Sequence, residues 1–114
     1  MTDTDIERLV SETIEPMPAK LITAVIAYRG DVWRYDDGAW LPAPWLTDDR
    51  YTMRLFDEMP EPVLIHDGGK WECGLNVIDI RYEGWSWDEG GTDKDRRRAI
   101  VFAWLKAKGV PIES

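Results

Sequence analysis

Two side chains in this sequence have the reactivity usually recruited for proton transfer or nucleophilic attack near neutral pH: one histidine, His66, and one cysteine, Cys73. Catalysis through histidine needs a nucleophile and an orienting group within hydrogen-bond reach. His66 instead falls beside Asp67 at the corner of a predicted hairpin, where a solvated polar residue is expected. With one His and one Cys, a zinc site would draw most of its ligands from carboxylates, which is uncommon. The sequence therefore predicts no catalytic residues, no metal and no cofactor. A single cysteine also excludes an internal disulfide, and nothing indicates an oxidising compartment.

Carboxylates are abundant and come in adjacent pairs: Asp36-Asp37, Asp48-Asp49, Asp57-Glu58 and Asp88-Glu89. Neighbouring residues on a helix or strand do not share a face, so none of these pairs forms a cooperating dyad by itself. Turn chemistry accounts for the first and helix capping for the second. The alternating oxygen ligands of a calcium loop are missing. A glycosidase-like pair assembled from distant segments stays open as an alternative, given the many tryptophans that could stack on sugar. Gly68-Gly69 and Gly90-Gly91 match no phosphate-loop spacing.

Two segments offer binding rather than catalysis. Arg96, Arg97 and Arg98 fall in the first turns of a predicted helix, where cations oppose the dipole and need acidic neighbours or an anionic ligand. Asp93 and Asp95 are adjacent, which makes a salt-bridged face the simpler reading and an anion site the sharper one. Trp85 and Trp87 alternate in the loop that continues into Asp88 and Glu89. On an extended segment both rings project to one side, beside acidic residues, as at a binding hot spot. The competing reading folds them down over the core. Asp36 and Asp37 join Trp85, Trp87, Asp88 and Glu89 as the candidate partner surface.

The elements that position these residues follow from pattern and composition. The length, 114 residues, suits one domain, residues 1–114, and 44% apolar residues suffice for one core. Several of the seven Trp must be core anchors. Thr4-Asp5-Ile6-Glu7 reads as a capping box opening a helix over Asp5–Ile14, stopped by Pro16 and Pro18. Leu21–Tyr28 fits either a buried strand or a helix, with the strand favoured by the hairpin that follows. Val32–Tyr35 and Ala39–Leu41 flank the turn Asp36-Asp37-Gly38. Thr47 caps a second helix, Asp48–Met59, with Thr52, Leu55, Phe56 and Met59 inward. A meander of Val63–His66, Lys70–Leu75 and Val77–Tyr82 comes next, in which Trp71, Cys73 and Leu75 share a face. Gly74 marks a bulge or a close backbone approach. Thr92 and Asp95 open the last helix, Asp93–Lys108, whose stripe is Ile100, Ala103, Trp104 and Ala107, ended by Gly109 and Pro111. The expected fold is α+β: a small antiparallel sheet, largely a meander, with about three helices packed against it as a helix–sheet sandwich.

Pro44-x-x-Thr47-Asp48 opening a helix, the Trp71-x-Cys73 strand and the closing Asp95-x-x-x-Ala99-Ile100-x-x-Ala103 helix resemble small phage and prophage proteins of the ABA-sandwich type, a family of unknown function. The resemblance runs from Pro44 to Gly109. The aromatic residue those proteins carry before the helix cap corresponds to Trp45 or Leu46, and their glycine-led N-terminal helix is not evident. It implies α/β/α layering and a phage origin, without site residues.

Charge narrows the partners. Asp plus Glu number 22 against 14 Lys plus Arg, a net charge of −8. Such a field repels free nucleic acid and attracts basic proteins or the basic groove of a nucleic-acid-binding complex, although solubility alone also explains it. No run approaches ~18 apolar residues, so no membrane span is expected. The start, Met1-Thr2-Asp3, is acidic where a secretory signal is basic, so a cytoplasmic location is expected. The leading expectation is a non-enzymatic, phage-type protein that occludes a basic surface on a host protein, as an anti-defence (anti-CRISPR-like) inhibitor does. Alternatives are an immunity protein that neutralises a basic nuclease toxin and a small carboxylate-dependent hydrolase.

Overall fold

The computed structural model describes residues 1–16, 32–36, 39–75 and 90–112. These residues form an α+β architecture of three helices and two antiparallel sheets, arranged as two compact units, Met1–Trp45 and Leu46–Ser114. The segment Leu21–Tyr28, the strand expected at Val77–Tyr82 and the loop bearing Trp85, Trp87, Asp88 and Glu89 lie outside the described residues, as does Asp37.

In the first unit, α1 spans Asp3–Ile14. Its N-cap is Thr2 rather than Thr4: the Asp5 amide donates to the Thr2 hydroxyl at 3.2 Å and the Thr2 amide to the Asp5 carboxylate at 3.0 Å. Asp5 does at the third helical position what Glu usually does in a capping box, so the helix begins earlier than the Thr4 reading placed it. The bond from the Thr2 amide, and then one from the Thr2 hydroxyl, hold the Asp5 carboxyl below the usual range. At the other end Glu15 is extended, as the residue before a proline must be, and Pro16 blocks continuation.

Strands β1 (Trp33–Asp36) and β2 (Ala39–Pro42) pair with Asp36 opposite Ala39, giving the expected hairpin. Ile6 and Val10 of α1 are buried, and Ile14 packs against Val32, Trp33 and Trp40. A buried polar relay joins this interior. The Trp45 indole N–H donates to the Ser11 hydroxyl at 2.9 Å, and that hydroxyl donates to the Val32 carbonyl at 2.7 Å. The Trp33 indole donates to the Glu15 carbonyl at 3.0 Å, satisfying an acceptor just beyond the helix end.

The second unit contains α2 (Asp49–Glu58), β3 (Pro62–Asp67), β4 (Lys70–Leu75), β5 (Gly91–Asp93) and α3 (Arg96–Ala107). Asp48, not Thr47, caps α2 and accepts the Arg50 amide at 2.9 Å. Thr52, Leu55 and Met59 are buried, while Phe56 is only half-buried. Strands β3 and β4 turn through Gly68-Gly69, both at positive φ (60° and 78°), which a two-residue hairpin of this twist demands. Gly74 pairs in regular register with Val63, so it makes no bulge.

The strand beside Trp71–Cys73 is β5, so the three-stranded order is β3-β4-β5. Among the described residues, Gly91–Asp93 supplies the strand on that side of β4. Thr92 is consequently a strand residue paired with Glu72, and Asp95 alone caps α3, accepting the Arg97 amide at 2.9 Å. Helix α3 is buried without interruption from Ala99 to Leu105, more than the single stripe its sequence suggests. A continuous apolar run carries no phase information, so periodicity could not reveal this. Gly109 closes the helix with a Schellman pair, its amide to the Lys106 carbonyl and the Val110 amide to the Leu105 carbonyl.

Trp33, Trp40, Trp45 and Trp104 are buried, as the tryptophan content requires. Among the described residues no helix is long and apolar enough to cross a membrane.

Candidate functional site

Helices α2 and α3 begin close together, and the residues at and just before their first turns carry a cluster of ion pairs. Asp49, the first residue of α2, receives two guanidinium groups on a single oxygen: Arg97 Nε at 2.8 Å and Arg96 Nη2 at 3.0 Å. Both arginines sit in the first turn of α3, where their charge opposes the helix dipole. Asp49 lies in the first turn of α2, where negative charge is favoured, so one carboxylate offsets both helix ends. Arg98 reaches Asp93 at 3.5 Å and lies over the Phe102 ring at 5.2 Å. Asp93 also accepts the Asp95 amide at 2.9 Å. Asp48 holds Arg50 at 3.1 Å.

The ionisation of the cluster follows from these contacts. Hydrogen bonds from Arg97 and then Arg96 hold the Asp49 carboxyl below the usual range, and the bonds from Arg50 do the same for Asp48. Arg97 and Arg50 are pushed up in turn, chiefly by the same carboxylates. A phosphate approaching Arg96 and Arg97 therefore meets an ionised carboxylate that already engages one nitrogen of each guanidinium. The contribution of Asp49 is complete above the ordinary carboxyl pKa and is lost as pH falls through its lowered folded value. In the Arg97→Ala variant, the carboxyl-carbon NMR titration of Asp49 should move up towards an unperturbed aspartate. An unchanged titration midpoint would mean that the pair does not persist in solution.

His66 and Cys73 are in different environments. His66 pairs across the hairpin with Trp71, their rings stacked at 4.4 Å and 16°, in an exposed stretch of β3. Cys73 is buried, and burial pushes its thiol up to about 12. At neutral pH it is a protonated, unreactive core side chain. Because the folded pKa is raised, this stability is complete below the unfolded value near ~8.5 and is lost as pH rises towards 12. Unfolding free energy should decline above about pH 9 with up to one proton, roughly 1.4 kcal/mol per pH unit, attributable to Cys73. The Cys73→Ala variant should show a shallower alkaline limb in denaturant titrations; identical slopes would refute the assignment.

Of the residues proposed for partner contact, Asp36 lies at the turn end of β1 opposite Ala39. Among the described residues no group of three or more His, Cys, Asp or Glu side chains is placed to hold a metal ion. The residue that sequence reasoning missed is Asp49, which joins Arg96 and Arg97 from 47 and 48 positions away. Its only signal was an acid at a helix start, already explained by capping.

No protein-family model, curated protein or solved structure matches the chain.

Proposed function

We propose that the protein is a non-enzymatic binding protein that presents its surplus negative charge to a basic surface on a macromolecular partner. The observation that carries this reading is the fate of Arg96, Arg97 and Arg98. The run that would best attract an anion is held by the protein's own Asp49 and Asp93. With that run answered internally, the excess of 22 acids over 14 bases sets the long-range field. A field of that sign favours encounter with basic proteins and opposes encounter with free nucleic acid.

The resemblance to phage proteins of the ABA-sandwich type supports a host protein as the partner. A protein that handles nucleic acid has the basic groove such a field would meet, and occluding that groove is how an anti-defence inhibitor of this kind would act. Trp85 and Trp87, beside Asp88 and Glu89, supply the aromatic and acidic side chains suited to the centre of such a contact.

Capture from a bacterial lysate on the immobilised protein tests this directly. The expected result is specific retention of a basic protein, released by raising the salt, and weakened when Trp85 and Trp87 are both replaced by alanine. Recovery of no specific partner would count against the proposal. Retention of nucleic acid in a nuclease-sensitive form would favour the anion-site reading of the arginines instead.

A further inference from the structure

We draw no further inference here: the strongest candidate, the outer edge of the β3–β4 hairpin, where Ile65 is half exposed next to the stacked His66 and Trp71 rings, carries nothing because nothing in the structure shows what covers it.

Discussion

Replacing Gly91 by valine should destabilise the second unit by about 3 kcal/mol or more, enough to consume much of a small domain's stability. Gly91 sits where β5 meets α3 so closely that a Cβ on it would overlap the Ala99 carbonyl oxygen. It would also come within 2.5 Å of the Ala103 amide nitrogen and 2.8 Å of Phe102 Cβ. Two of these three obstacles are helix backbone, which cannot rotate aside as a long side chain can. Relief requires β5 to move off α3, and Gly91 is also the residue paired with Cys73 in the sheet. Gly90 is similarly confined, because its Cβ would overlap the Cys73 carbonyl. Gly74 is the internal control: among the described residues, a Cβ there meets only the Gly90 Cα, at an ordinary 3.7 Å. Urea titrations should therefore show Gly91→Val and Gly90→Ala strongly shifted and Gly74→Ala much less so. Wild-type stability for Gly91→Val would show that the strand and helix are not in this contact.

The second large effect belongs to the buried relay of the first unit. Trp45→Ala should cost about 3–5 kcal/mol, since it empties a fully buried indole site. It also takes away the group that donates to Ser11. Ser11→Ala removes little volume but deletes both the acceptor for Trp45 and the donor to the Val32 carbonyl, for about 1–3 kcal/mol. Because the two residues share one hydrogen bond, their effects should not add. A double-mutant cycle in denaturant should give a coupling of roughly 0.5–3 kcal/mol. A coupling of zero would separate the indole from the serine and leave only packing.

Much of this architecture was legible because it is written in local chemistry. Pro16 stops the first helix, Gly68-Gly69 dictates a tight turn, and the alternation of Trp71, Cys73 and Leu75 gives β4 its buried face. The caps were harder to place, since Thr2 and Thr4, or Thr47 and Asp48, each offer a side-chain oxygen able to cap, one or two positions apart. Geometry decides which one reaches the free amide. Strand β5 left no signal, because Gly91-Thr92-Asp93 has neither apolar alternation nor β-branched density beyond Thr92. Its pairing follows from the fit of a bare backbone against the small residues Ala99 and Ala103 of α3. In the charge cluster, the pairing of Arg98 with nearby Asp93 could be read from sequence proximity. The pairing of Arg96 and Arg97 with Asp49 could not, because it depends on how two helices distant in sequence meet.

The measurement that bears most directly on the functional claim is the affinity for the captured partner as a function of salt. The account predicts binding that weakens at least roughly tenfold between ~0.05 and ~0.5 M monovalent salt, as screening removes the attraction between an acidic and a basic surface. Affinity that stays constant across that range, or strengthens with salt, would contradict it.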